Sequence, residues 1–223
     1  MEKEQVKLAA RTGGIATLLG SICMISGAAI WGASGVDIDQ ALYDNDLAGY
    51  LSKALGSQDL LIANLSLWIL GVLLLGAGAT MMALLSQDRP VWAQLVKYNY
   101  GVGVALVVVA YMAWLAVVVR SAASASAEAP AIAETVGWFA TRADWVATVL
   151  MLATGPLLLS TAGRGRWAPN WLRMWSYLCL FTGLLNLIAQ YAGGLTTYGF
   201  IIIPVGMGWL FAASSVLLRA KFV

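Results

Sequence analysis

Histidine is missing altogether from this chain of 223 residues. That removes histidine-ligated haem, imidazole proton relays and most zinc sites. Charge is scarce as well. Only 11% of residues are Asp, Glu, Lys or Arg, against about 25% in a soluble domain. So few charges could not cover the surface of a soluble fold, whereas lipid tails can replace water around apolar faces. The two cysteines, Cys23 and Cys179, both fall in apolar runs. They read as buried reduced thiols, not as a disulfide framework. A net charge of +2, with no basic patch interleaved with aromatics, gives no footprint for a nucleic acid.

What the chain does have is apolar length: 61% of its residues are hydrophobic. A membrane helix needs about 20 mostly apolar residues to cross roughly 30 Å of hydrocarbon. Six stretches meet this, at about 14–34, 61–85, 100–119, 144–162, 171–192 and 200–218. The first has a basic lead (Lys3, Lys7, Arg11) like a signal peptide. Its apolar run is longer than a signal core, so it is expected to stay as a membrane helix.

The charges test this count. With the N-terminus inside, the inside segments hold Lys3, Lys7, Arg11, Arg89, Lys97, Arg164, Arg166, Arg173, Arg219 and Lys221. The outside segments hold Lys53, Arg120 and Arg142. Ten against three is the bias expected of cytoplasmic loops. The sequence therefore predicts an all-α polytopic membrane protein. Residues 1–223 form one six-helix domain in a plasma (inner) membrane, with both termini cytoplasmic.

The longest outer loop, about 35–60, carries Ile38, Leu42, Leu47, Tyr50, Leu51 and Leu55 at helical spacings. It predicts a short amphipathic helix on the outer surface. Asp37, Asp39, Asp44 and Asp46 lie between these residues. They lack the ligand spacing of a calcium loop and read as a solvated acidic face. The second outer loop, SAASASAEAPAIAET, reads as a flexible linker before the interfacial approach GWFATRADW.

Two segments echo each other. Pro90, Trp92 and Tyr98 have the spacing of Pro169, Trp171 and Tyr177, P-x-W-x5-Y, each ahead of a helix on the inner side. A duplicated hairpin would give this match. So would the preference of proline for the first helical turn and of Trp and Tyr for membrane interfaces, and that simpler origin is the reading taken.

No Asp, Glu, Lys, Arg or His stands in the middle of a predicted span. Ion-coupled pumps usually carry such a group, and intramembrane proteases need a nucleophile with its base or an aspartate pair. The deepest polar stripe is Thr182, Asn186 and Gln190, at i, i+4 and i+8 on the fifth span. Its simplest role is an interhelical hydrogen bond. Its alternative role is lining a pocket, together with Tyr191, Asn64, Arg142 and Asp144 near the outer surface. Pairs of small residues four apart (Ala28 and Gly32, Gly76 and Thr80, Ala79 and Ala83, Gly208 and Ala212) permit close helix approach. Pro156 and Pro204 are expected to kink their helices.

The expected function is that of a non-enzymatic structural, accessory or oligomer-forming subunit, a homo-oligomer or part of a membrane complex in the lipid bilayer. No cofactor or metal is expected. The alternative is a small-molecule transporter or substrate-binding subunit with a neutral or aromatic ligand in an outward-facing pocket.

Overall fold

The computed structural model describes residues 3–123, 126–190 and 196–220. It is all-helical. Its helices are α1 (Lys3–Ser34), α2 (Ile38–Asp44), α3 (Leu47–Gly56), α4 (Gln58–Leu84), α5 (Pro90–Ala116), α6 (Ala129–Val149), α7 (Gly155–Ala162), α8 (Asn170–Ala189), α9 (Thr196–Gly199) and α10 (Ile202–Arg219). A π-helical turn at Val117–Ser121 extends α5, and another at Leu150–Thr154 joins α6 to α7. Among the described residues six helices are long and apolar enough to cross a membrane: Lys3–Ser34, Gln58–Leu84, Pro90–Ser121, Ala129–Ala162, Asn170–Ala189 and Ile202–Arg219. This is a multi-pass membrane protein.

Several boundaries differ from the sequence expectation, each for a local reason. The first long loop holds two short helices instead of one. Asp37 Oδ1 accepts from the Gln40 amide (3.2 Å) to start α2, and Asp46 Oδ1 accepts from the Gly49 amide (3.0 Å) to start α3. Two of the four aspartates are thus N-caps. Asn45, at φ 56°, ends α2 in a left-handed conformation that asparagine tolerates. The supposed linker is shorter than expected, because α6 begins at Ala129 with Pro130 in its first turn, where proline costs no bond. Pro204 lies in the first turn of α10 for the same reason and breaks no helix interior.

Pro156 behaves differently. It follows the π-helical turn at Leu150–Thr154. In an α-helix its ring would clash with the carbonyl four residues back, and its missing N–H leaves a carbonyl without a donor. The wider turn shifts the orphan to the carbonyl five residues back, Met151. The Tyr100 hydroxyl donates to that oxygen (3.1 Å). Asn99 Nδ2 donates to the Leu150 carbonyl (2.6 Å), and the Thr154 hydroxyl donates to Asn99 Oδ1 (2.8 Å).

The contacts divide the chain into two compact units. The three-segment unit comprises Met1–Ser21, Leu73–Val104 and Val146–Val223; the two-segment unit comprises Ile22–Val72 and Ala105–Trp145. Inside the three-segment unit the helices meet at glycines. A Cβ on Gly206 would stand 2.5 Å from Leu152 Cβ and 2.8 Å from its carbonyl oxygen, and one on Gly208 would stand 2.9 Å from the Trp175 ring. Gly155 lies against the Tyr100 ring, Gly76 against Val104 and Gly13 against Met81. The indole of the fully buried Trp209 donates to the Leu172 carbonyl (2.8 Å).

Inside the two-segment unit α4 meets α1 through side chains. Asn64 Nδ2 donates to the Gly27 carbonyl (2.9 Å) and Trp68 Nε1 to the Met24 carbonyl (3.0 Å). Trp31, Trp68, Tyr111 and Trp114 form a chain of rings with successive centroids 6.3, 5.1 and 5.4 Å apart.

Candidate functional site

The two-segment unit brings two carboxylates together. Asp39 comes from α2 and Asp144 from α6. The helical register explains how. Residues 38, 39, 42 and 43 share one side of α2, and residues 137, 138, 141, 142 and 145 share one side of α6. Gly137 lets α6 approach closely, so that a Cβ there would lie 3.1 Å from Ile38 Cδ1 and 3.3 Å from the Leu42 methyls. Tyr43 meets the Trp138 ring edge-on, with centroids 5.5 Å apart. These apolar contacts carry Asp39 to Thr141, whose hydroxyl donates to Asp39 Oδ1 (2.7 Å). The Trp145 indole also bonds to Asp39.

Asp144 turns to another neighbour. The Tyr111 hydroxyl of α5 donates to its carboxylate. The charges of Asp39 and Asp144 also interact directly. Arg142 lies 5.3 Å from the Trp138 ring centroid, within range of a cation–π contact. Arg142 and Asp144, two residues apart, therefore meet different aromatic rings, Trp138 and Tyr111, as their spacing on one helix requires.

Burial raises the Asp39 carboxyl above its usual range, and the nearby Asp37 charge adds to this. Hydrogen bonds from Thr141 and Trp145, and the Arg142 charge, oppose the rise without cancelling it. Burial pushes the Tyr50 hydroxyl of α3 up as well, and the charges of Asp37 and Asp39 add to this. Two carboxyl groups in one half-buried network, surrounded mainly by neutral donors, form a site that can hold a proton or attract a cation.

Asp39 was expected on a solvated acidic face; instead it is half-buried and bonded to α6. Its position beside Ile38 and one turn before Leu42, on the rim of the apolar face, is the signal in the sequence. Nothing in the sequence pattern marks Tyr111, Thr141 or Trp145 as partners of the aspartates, because the pairing spans up to 102 residues.

The residues singled out as a possible pocket do not gather in one unit. Asn64, Arg142 and Asp144 belong to the two-segment unit, and Thr182, Asn186 and Gln190 to the three-segment unit. Asn64 is bonded to the α1 backbone, as described. Asn186 is fully buried and donates to the Gly199 carbonyl (3.1 Å). Gln190 Nε2 donates to Asn186 Oδ1 (2.9 Å), and the Thr182 hydroxyl to the Cys179 carbonyl (2.9 Å). Tyr191 lies outside the described residues. Among the described residues no group of three or more His, Cys, Asp or Glu side chains could hold a metal ion. No family model, curated protein or solved structure matches this chain, so the site stands on its own geometry.

Proposed function

We propose that this chain is a non-enzymatic membrane subunit, accessory or oligomer-forming, that works through lateral helix contacts. In this reading it lies in a plasma (inner) membrane with both termini cytoplasmic, the orientation that the ten-to-three basic split favours. One observation carries the proposal. The outer half of α1 exposes Ala28, Ala29, Gly32 and Ala33 together, and a Cβ on Gly32 would meet nothing within 4 Å. Gly76 and Gly208, from two of the other small-residue pairs, pack against Val104 and Trp175 of the same chain. The deep amides Asn64, Asn99 and Asn186 bond to backbone carbonyls of their own chain. Polar groups hold the helices together, and a smooth small-residue face remains for a neighbouring helix.

The test replaces Ala28 and Gly32 with leucine in the full chain. Native mass spectrometry in mild detergent should show an assembly for the wild type and a shift to monomer for Ala28→Leu/Gly32→Leu. A wild type that is strictly monomeric, with no co-purifying partner, would sink the proposal.

A second reading rests on the Asp39–Asp144 pair. Asp144 lies within the membrane-length helix Ala129–Ala162, and ionisable groups within membrane helices mark ligand or ion sites by default. In a small-molecule transporter or binding subunit, two carboxylates beside aromatic rings suit a small organic cation better than a neutral ligand. Tetramethylammonium should then raise the melting temperature of the wild type and not that of Asp144→Asn; an equal response in both proteins removes this reading.

A further inference from the structure

The two halves of the P-x-W-x5-Y echo meet in one cavity of the three-segment unit. It has a volume of about 600 Å3 and is lined by Arg89, Pro90, Val91, Trp92, Thr161, Arg164, Arg173 and Tyr177. Pro90 and Trp92 come from the first copy, and Tyr177 from the second. Three guanidinium groups share this space. None of the three forms an ion pair with a described carboxylate, while the nearby Asp88 is held by Arg166 (Nε to Oδ1, 3.0 Å).

We propose that this cavity is a binding site for the phosphate group of an anionic membrane phospholipid. Three like charges around one cavity repel one another, and an anion placed among them relieves that repulsion. Two of the guanidiniums are already held in place. Arg89 Nη1 donates to the Thr161 carbonyl (2.8 Å) and Arg173 Nη1 to Asn170 Oδ1 (3.1 Å). Each guanidinium has five N–H donors, so both retain donors for a phosphate. The first turn of α5 also lines the cavity; Pro90 has no amide and that of Ala93 is bonded to the Arg89 carbonyl, but the positive end of the helix still favours an anion there.

The surroundings favour a lipid over free phosphate. A second groove, about 450 Å3, continues from the same Pro90 and Val91 along Gln94, Leu95 and Tyr98. Val91 and Tyr98 are 69% and 74% exposed. In a membrane protein such an apolar surface faces acyl chains, so headgroup and tail each have a complementary surface side by side. Trp92 and Tyr177 supply the amphipathic rings found at the headgroup level.

The test uses the full chain, stripped of lipid in detergent, with dioleoylphosphatidylglycerol, dioleoylphosphatidylcholine and inorganic phosphate as probes. Phosphatidylglycerol should raise the melting temperature and remain bound in native mass spectra, with the zwitterionic lipid and inorganic phosphate far weaker. Arg164→Gln and Arg173→Gln should each weaken phosphatidylglycerol binding by about tenfold, the effect of losing one charge-assisted contact. Arg164 is exposed, so R164Q tests the site without disturbing packing. R173K should recover part of the loss. Equal binding of the two lipids would overturn the proposal, as would full phosphatidylglycerol affinity in both glutamine variants. Stabilisation by inorganic phosphate as strong as that by phosphatidylglycerol would overturn the assignment to a lipid.

Discussion

In the two-segment unit the polar contacts that tie distant segments together include two carboxylates, Asp39 and Asp144, held by Thr141, Trp145 and Tyr111. In the three-segment unit the buried contacts are neutral, and the charged ones, Arg89 to the Thr161 carbonyl and Arg166 to Asp88, involve partly exposed side chains. Asn99, Tyr100, Asn186 and Trp209 each donate to a backbone carbonyl. Both units bring helices together at tight glycines, Gly206 and Gly208 in one and Gly27 and Gly137 in the other, whereas Gly32 of the two-segment unit has open space beside it. One unit should therefore respond to side-chain volume and hardly to pH. The other should respond to protonation and tolerate added volume at Gly32.

The largest effect should come from adding volume to the three-segment unit. Gly206→Val would drive its side chain into Leu152, including the backbone oxygen, which cannot swing aside. Overpacking of this kind costs about 1–3 kcal/mol. Gly32→Ala should cost only a few tenths of that, since its Cβ would meet nothing. Equilibrium unfolding of both variants in mixed micelles gives the contrast, and equal losses would erase the difference in packing between the two positions.

A smaller effect should follow from Tyr100→Phe. It removes the donor to the Met151 carbonyl, the oxygen that Pro156 leaves without its own amide. A buried carbonyl left unpaired costs about 1–3 kcal/mol, and membrane hydrogen bonds fall at the low end of such values. The sharper measurement is a double-mutant cycle. Pro156→Ala restores an amide at position 156, so Tyr100→Phe should cost less in that background. Additive losses would show that the tyrosine does not serve the proline's orphaned carbonyl.

How much of this could be read from the sequence depended on distance along the chain. The six spans were legible because each is a local apolar run of membrane length, and the structure has six such helices. Asn64 and Asn186 were legible as interhelical donors because an amide in an apolar run needs a partner. Their acceptors, Gly27 and Gly199, were not, since any main-chain carbonyl looks alike in sequence. Pro156 signalled a break, but the π-helical turn depends on Tyr100 and Asn99, more than 50 residues away. Asp39 was misplaced because acidity alone suggested solvent, while its position beside Ile38 and Leu42 governed where it went. The arginine cavity was hidden for the same reason: its lining comes from residues 89–92, 161–164 and 173–177.

The smallest effect should be the pH response of Asp39, and it bears most directly on the difference between the units. Burial raises its carboxyl in the folded state above the ordinary 3.8. The folded protein then binds this proton more tightly than the unfolded chain does. By linkage, the stabilisation is complete below the unfolded value and is lost as pH rises through the raised folded value. The wild type should therefore become less stable from about pH 4 towards neutral through this group. Asp39→Asn keeps an acceptor for Thr141 and Trp145 but carries no charge to desolvate. It should reduce that slope, Asp144 remaining in place, and melt slightly higher than the wild type at neutral pH. Tyr100→Phe, in the other unit, should lower the melting curve and leave its pH slope unchanged, because a tyrosine hydroxyl does not titrate in this range. Melting temperatures of the three proteins across this pH range distinguish the cases. A slope unchanged from the wild type in Asp39→Asn would mean that the protonation-sensitive group of the two-segment unit is not Asp39.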